Sequence, residues 1–450
     1  MKGRRNIHPY MIIILSFLGV ITVGTILLIL PWATVSGESI GFVDSLFMAT
    51  SAVCVTGLSV QNVAVQFSIY GKIVMALLME VGGLSFITIA VFFFTVLGAK
   101  IGVSNRFLLK ESLNQSSVKG IISLVKRIIL ISASVQLIGA IINIFPLTLT
   151  YGYNFWDALG VALFHSASAF NNAGFDIFGG ESMIPFKDDL ILNLTTMSMV
   201  ILGGIGFVVI DDIFRNKRWS KLSLHTKITL TITGVLVIGG GFLLKAVNFN
   251  EEAGGFSFLQ AFFTSVTCRT AGFSTYDMSH LKDHPAAYVI CLVLMFIGAS
   301  PCSTGGGVKT TSLAVVIIAI VYFARGKKAR AFHRKISDSN LFKAFVLISF
   351  AVMIVIIGTF LVSIIQPEFR IDEVLFEVTS GFSTTGLSMG ITHQLNTANR
   401  LIICFLMLFG RLGPLTVIGV VNKNWMNASK ESIQYVEENV IIGWKRVLLL

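Results

Sequence analysis

Four glycines occupy equivalent places in four similar segments of this 450-residue chain. The segments are LFMATSAVCVTGL ending at Leu58, LFHSASAFNNAGF ending at Phe175, FFTSVTCRTAGF ending at Phe273 and LFEVTSGFSTTGL ending at Leu387. Gly57, Gly174, Gly272 and Gly386 each lie ten residues after a phenylalanine: Phe47, Phe164, Phe262 and Phe376. Each follows Thr or Ala and precedes Leu or Phe. The chain shows no nucleophile–base set and no HExxH-like ligand pair, and its seven histidines have no ligand spacing, so an intramembrane enzyme is disfavoured. The chemistry open to the repeated segments is that of the backbone. Glycine permits turns that aim carbonyls at an axis. Four such loops around one axis make a ring of oxygens that can replace a cation's hydration shell.

A second small-residue cluster follows each glycine: Gly82-Gly83, Gly203-Gly204, Gly298 and Gly410, at offsets of 25, 29, 26 and 24 residues. Glycine in one membrane helix needs no more than close packing to explain it, but a fourfold unit with a fixed spacing needs more. The third unit differs. ASPCSTGGGVKTT, from Ala299 to Thr311, puts a proline, three glycines and several hydroxyls where an unbroken helix is expected. GGGVKTT is similar to a phosphate-binding loop, but Val308 separates the glycines from Lys309 and no strand precedes them.

Charges at membrane depth are functional candidates. Glu80 lies 23 residues after Gly57 and Arg411 25 after Gly386, so both fall at similar depth. In a fourfold ring the first and last units are neighbours. Glu80 and Arg411 are therefore expected to approach each other, directly or through water or the broken segment, unless each faces a wet cavity alone. Lys309 either donates to carbonyls of its own loop or snorkels at a helix end. Arg269 either ties its loop to outer acids or touches the ion.

The elements that position these residues are membrane helices. The chain is 54% hydrophobic and 13% charged with a mean hydropathy of +0.82, against about 25% charged residues in soluble domains. A crossing needs about 20 apolar residues. Such stretches run over Met11–Leu30, Ile73–Ala99, Ile128–Trp156, Leu190–Ile210, Ile228–Leu244, His284–Ala324, Ala344–Pro367 and Leu401–Asn422, giving eight spans. The first reads as an uncleaved helix rather than a signal peptide. The segments around 41–58, 157–175, 256–273 and 371–387 are too short to cross and read as re-entrant. The fold class is thus an all-α membrane protein of four consecutive helix–pore loop–helix (M1-P-M2) repeats around one central pore. The repeats cover 1–99, 100–216, 217–330 with the broken segment 298–311, and 331–422; a tail follows at 423–450.

With both termini cytoplasmic, 25 of 34 Lys and Arg lie on the cytoplasmic side and 15 of 23 acids on the other, the positive-inside asymmetry. The net charge of +11 is then an orientation signal, and nucleic-acid binding is excluded as a function. The outer acids would concentrate cations at the mouth. Trp32 and Trp156 on one side, and Trp219 and Trp425 on the other, fit interfacial belts. The five cysteines read as buried thiols. A secondary transporter with an inverted twofold repeat is the main rival; four parallel units disfavour it.

VTGL at Val55–Leu58, NNAGF at Asn171–Phe175, RTAGF at Arg269–Phe273 and STTGL at Ser383–Leu387 resemble the four filter signatures of the Trk/Ktr/HKT family of cation transporters. LSLHTK at Leu222–Lys227, MFIGASPCSTGGGVKTT at Met295–Thr311 and FGRLGPLT at Phe409–Thr416 are also similar. Eight spans without extra N-terminal helices resemble the Ktr branch. Gly57, where sodium-permeable members carry serine, resembles the potassium-selective ones. The resemblance implies potassium uptake through a single-file pore in a plasma-membrane protein. The implied K+-binding filter is Val55, Thr56 and Gly57; Asn172, Ala173 and Gly174; Thr270, Ala271 and Gly272; and Thr384, Thr385 and Gly386. It implies a gate at Ser303, Thr304, Gly305, Gly306, Gly307 and Lys309, with Arg411 and Glu80 nearby. It further implies a homodimer on a cytosolic RCK/KTN-type (KtrA/KtrC-like) ring binding ATP, ADP or cyclic di-AMP. Na+ would be a coupling or activating ion, and no covalent cofactor is implied. A Na+-permeable or Na+/K+ cotransporting member is the alternative.

Overall fold

The computed structural model describes residues 9–97, 109–110, 120–247 and 255–413. The tail 423–450, Trp425 and much of the stretch 100–127 lie outside them. The helices come in four successive groups. The first holds α1 (Pro9–Ile29), α2 (Phe42–Val53), a turn α3 (Val63–Gln66), α4 (Ile69–Leu84) and α5 (Phe86–Val96). The second holds α6 (Ile121–Leu149), α7 (Phe155–Phe170), α8 (Leu190–Gly204) and α9 (Phe207–Asn216). The third holds α10 (Leu224–Val247), α11 (Phe258–Thr267), α12 (Pro285–Phe296) and α13 (Thr310–Ala324). A two-residue strand pair, β1 (Arg330–Ala331) and β2 (Arg334–Lys335), leads to the fourth: α14 (Asp338–Ile365), α15 (Ile371–Ser383) and α16 (Thr397–Leu412).

Helix starts follow local chemistry. Asn154 accepts from the Asp157 amide at 3.0 Å to begin α7, Ser257 and Gln260 form a capping box on α11, and Asn396 caps α16. Gly152, at φ +70°, and the Asn154 cap also explain why α6 stops at Leu149 although the apolar run continues to Trp156.

Helix length departs from the eight apolar runs. Tyr10–Ile29, α6, α10 and α14 are long and apolar enough to cross a membrane unbroken. The runs at Ile73–Ala99 and Leu190–Ile210 are each a bent pair: α4 and α5 meet at 95°, α8 and α9 at 92°. Positive φ at Ser85 (+71°) and Gly206 (+100°) breaks each helix. By length and composition alone the described residues hold four candidate spans, or six if each bent pair is one. α12 and α13, of 12 and 15 residues, are separated by 297–309, and α16 has 16.

The groups pack in a cycle. α4 lies against α7, α8 against α11, α12 against α15, and α16 against α2, which brings the last group back to the first. Outer contacts stitch the same seams. Asn62 donates to the Gly179 carbonyl at 3.4 Å, the Ser274 amide to Ser182 Oγ at 3.1 Å, and Lys282 pairs with Glu373 at 2.6 Å. Arg400 pairs with Asp44 across the closing seam. Phe47 and Phe376 are fully buried and Phe164 nearly so, while Phe262 packs edge-on against Phe242 over Gly241. Between lipid-exposed helices such packing supplies the cohesion, since the hydrophobic effect is absent there.

The second glycine cluster has a packing cause. A Cβ on Gly82, Gly203 or Gly410 would overlap the backbone of Val53, Phe170 or Phe382, the residue four before the ring glycine of the same group. In the third group Gly298 meets Gly306 and Gly307 instead, so the 297–309 loop fills the place that a helix end fills elsewhere.

Candidate functional site

α2, α7, α11 and α15 run into loops that meet at one point. Gly57, Gly174, Gly272 and Gly386 all have left-handed φ, +91°, +72°, +78° and +92°. A Cβ on Gly57 would lie 2.9 Å from the Cα of Gly174; on Gly174, 3.0 Å from that of Gly272; on Gly272, 3.2 Å from that of Gly386; on Gly386, 3.0 Å from that of Gly57. The four glycines therefore close a ring in chain order. No side chain fits there. The carbonyl oxygens of Thr56, Ala173, Ala271 and Thr385 lie against the neighbouring glycines, so each loop contributes an oxygen to the same small space.

Two residues before each glycine the backbone is again left-handed: Val55 at +51°, Asn172 at +57°, Thr270 at +70° and Thr384 at +53°. Alternating handedness turns successive carbonyls to one side, where an extended strand would point them to opposite sides. Val and Thr resist this conformation at a cost of about 1–3 kcal/mol each, so surrounding contacts must hold it. The Thr56, Ala173 and Thr385 amides donate to the carbonyls of Ser51, Ser168 and Ser380 at 2.8, 2.8 and 2.9 Å. Ser51 Oγ and Ser380 Oγ also accept from the amides of Gly57 and Gly386, at 3.1 and 3.0 Å. The third loop has Val266 at this place and uses the Thr267 carbonyl, 2.9 Å from the Ala271 amide. The serine six residues before three of the glycines is visible in the aligned segments and is a supporting role that the glycine pattern alone did not reveal. The four short helices aim their C-terminal ends, with partial negative charge, toward the ring. The arrangement can strip and coordinate a cation.

Directly beneath lies the loop 297–309. The Thr304 amide donates to the Gly203 carbonyl at 3.2 Å, and Thr304 Oγ1 lies 3.3 Å from both the Phe170 carbonyl and the Asn172 amide group. The Gly306 amide donates to Thr384 Oγ1 at 3.0 Å. Gly305 passes Thr270 too closely for a Cβ, and Gly307, at φ +68°, would bring one to 3.2 Å from the Ser383 carbonyl. Thus Asn172, Thr270 and Thr384 turn toward the loop, while their fourth counterpart, Val55, is apolar and buried. Ser303 Oγ donates to the Ser300 carbonyl at 2.7 Å, bending the loop, and the Phe207 amide donates to the Cys302 carbonyl at 2.8 Å, linking it to the α8–α9 corner.

Two cations hold this loop. Lys309 Nζ donates to the Gly305 carbonyl at 2.8 Å and the Gly306 carbonyl at 3.4 Å. Of the two sequence readings for Lys309, this is the carbonyl-donor one. Arg411 donates to the Thr304 carbonyl and, at 2.5 and 3.0 Å, to the carbonyls of Gly82 and Gly83. It thereby joins the fourth group, the loop and the first group. Among the described residues Glu80 and Arg411 form no ion pair. Arg411 spends its donors on carbonyls, and Glu80 lies beside Gln136 and Asn171 instead. Glu80 and Arg411 thus have different neighbours. Arg269 is also placed differently from the tie to outer acids. It is buried, its Nε has no partner, and it forms no ion pair among the described residues.

Just after the second ring loop, burial pushes the Asp176 carboxyl up to about 6, opposed by hydrogen bonds from the Phe178 amide and Ser182. Cys54, Cys268, Cys291 and Cys404 are buried and Cys302 partly so. Trp32, Trp156 and Trp219 are exposed.

Comparison with known proteins adds to this geometry. The TrkH family, described as cation transport protein, matches residues 3–430. The Ktr system potassium uptake protein B of Bacillus subtilis is 36% identical over 444 residues, covering 97% of both chains. The potassium/sodium uptake protein NtpJ of Enterococcus hirae is 35% identical over 453 residues, covering 98% of this chain and 99% of its own. The crystal structure of the potassium transporter TrkH from Vibrio parahaemolyticus superposes with a TM-score of 0.71 over 94% of this chain and 87% of that one, at 20% identity, which shows a common fold. With a family match over almost its whole length and relatives this similar across theirs, the chain belongs to the TrkH family of cation transport proteins.

Proposed function

We propose that this protein takes up potassium across the plasma membrane through a pore along the axis of the four glycine loops. The observation that carries this reading is the closed ring of four left-handed glycines flanked by the carbonyls of Thr56, Ala173, Ala271 and Thr385. The oxygens replace the ion's hydration shell, and the triplets ending at Gly57, Gly174, Gly272 and Gly386 form the filter. The names of the similar potassium uptake proteins support potassium as the cargo. In this reading the four groups are M1-P-M2 repeats with eight spans, two of them bent and one broken at 298–311. The broken segment is the gate: it lies under the ring, and Lys309 and Arg411 fasten it there. The termini are cytoplasmic, as the charge asymmetry supports. The pore subunit works as a homodimer on a cytosolic nucleotide-binding ring whose shape changes move the gate.

Expression in a potassium-deficient host, with uptake measured while potassium and sodium compete, tests the reading. Restored growth and potassium uptake little reduced by excess sodium are the expected result; no uptake, or sodium uptake alone, contradicts it. The second reading, joint sodium and potassium transport, is favoured by the name of the Enterococcus hirae relative. It predicts that each ion accelerates entry of the other.

A further inference from the structure

We propose that the basic hairpin between α13 and α14 binds the phosphate headgroup of an anionic phospholipid. A cavity of about 590 Å³ is lined by Lys327, Lys328, Ala329, Arg330, His333 and Lys335. From 325 to 337 the chain carries six Lys or Arg and no acid. The nearest acid in sequence, Asp338, pairs only loosely with Lys335, at 3.6 Å and in solvent.

The hairpin is built to hold these charges in place. Arg330 faces Lys335 and Ala331 faces Arg334 in register, and the Ile336 amide donates to the Ala329 carbonyl at 3.1 Å. Ala329 and Ile336 are buried, and Phe332 and His333 make the turn at φ +48° and +63°. Like charges packed this closely repel, and the repulsion is relieved when an anion occupies the space between them. The Arg330 guanidinium lies 6.0 Å from the Tyr322 ring centre, which keeps it at the helix end.

The surroundings select a lipid over a soluble anion. The cavity sits between the end of one apolar helix and the start of another. Trp219 meets Phe332 at 6.1 Å between ring centres, and both are exposed. Phe323, 87% exposed, and Phe342, 68% exposed, flank the hairpin on α13 and α14. Cations beside uncovered aromatic rings match a headgroup next to its acyl chains. A basic cluster at the end of a membrane helix draws anionic lipid at about 1 kcal/mol per charge, roughly fivefold in affinity.

The test uses the purified full chain in detergent, titrated with phosphatidylglycerol or phosphatidylcholine and read by native mass spectrometry. Phosphatidylglycerol is expected to bind more tightly. Lys328→Gln/Arg330→Gln should weaken it about 25-fold, on the same per-charge figure, and leave phosphatidylcholine unchanged. Lys327→Gln/Lys328→Gln, which keeps the Arg330–Tyr322 contact, guards against misfolding and should give a similar loss. Glycerol phosphate should not displace the lipid. Equal binding of the two lipids, undiminished phosphatidylglycerol binding in folded samples of both variants, or displacement by glycerol phosphate would overturn the proposal.

Discussion

The ring of glycine loops repeats one arrangement four times, with φ between +72° and +92° at every glycine and the residue two before it also left-handed. The loop 297–309 beneath it occurs once, in the third group, and no two of its anchors are alike: Gly203 and Phe170 from the second group, Thr384 from the fourth, and Arg411 bridging to the first. The ring is backbone packed on backbone, so any added Cβ meets main chain that has nowhere to go. The loop has main-chain bonds too, Thr304 to Gly203 and Phe207 to Cys302, but adds side-chain anchors from two cations and a few hydroxyls that can be released singly. The first construction suits a site that must hold one geometry, and the second suits the movement proposed for the loop.

That contrast can be broken experimentally. The largest effect is expected from deleting Thr304–Gly307, which removes the obstruction: potassium flux in proteoliposomes lacking any cytosolic partner should rise, by roughly 100-fold if the loop's anchors together contribute about 3 kcal/mol. Unchanged flux and unchanged regulation would remove the loop from the gating account. Arg411→Gln comes next. Charge-assisted bonds contribute about 1.5–3 kcal/mol, so the basal flux should rise about tenfold. Combined with the deletion the substitution should add nothing further, because both act on the same contact; an additive increase would give Arg411 a separate role. Thr384→Val removes one neutral bond to the Gly306 amide, about 1 kcal/mol, and should raise flux about fivefold. Val55→Thr, at the equivalent position with no contact to the loop, should change it less than twofold. Equal effects at the two positions would mean that the loop does not read the ring asymmetrically.

How far the sequence discloses each region follows from the same contrast. Backbone repetition leaves a pattern, so the four glycines and their phenylalanines align by eye, and the second glycine cluster aligns because a Cβ at Gly82, Gly203 or Gly410 strikes the short helix above and one at Gly298 strikes the loop. The bends are harder to read. Gly82-Gly83-Leu84-Ser85 and Gly203-Gly204-Ile205-Gly206 look like membrane-helix packing glycines, yet each ends in a left-handed residue that turns the helix through a right angle. At the first bend the apolar run Phe86–Val96 hides the turn, because periodicity is silent where every face is apolar; the second bend leads into Phe207–Asn216, whose Asp211, Asp212 and Arg215 make it amphipathic. Charged partners are hard to read for a related reason. Equal depth suggested Glu80 for Arg411, but exposed main-chain carbonyls around a broken helix offer a guanidinium nearer acceptors. Sequence spacing ranks residues by depth and says nothing of rotation about the helix. The same limit applied to Arg269, whose neighbours are set by the loop's turn.

The central claim is that the glycine ring itself distinguishes potassium from sodium. The most direct measurement is the ratio of potassium to sodium uptake, both ions present, for Gly57→Ser, Gly174→Ser, Gly272→Ser and Gly386→Ser. A side chain at a left-handed position costs about 1–2 kcal/mol, and in this ring it also presses on the next loop. Because the ring is closed, the ratio should fall about tenfold or more whichever glycine is changed. Surviving uptake with an unaltered ratio in all four variants would contradict the account.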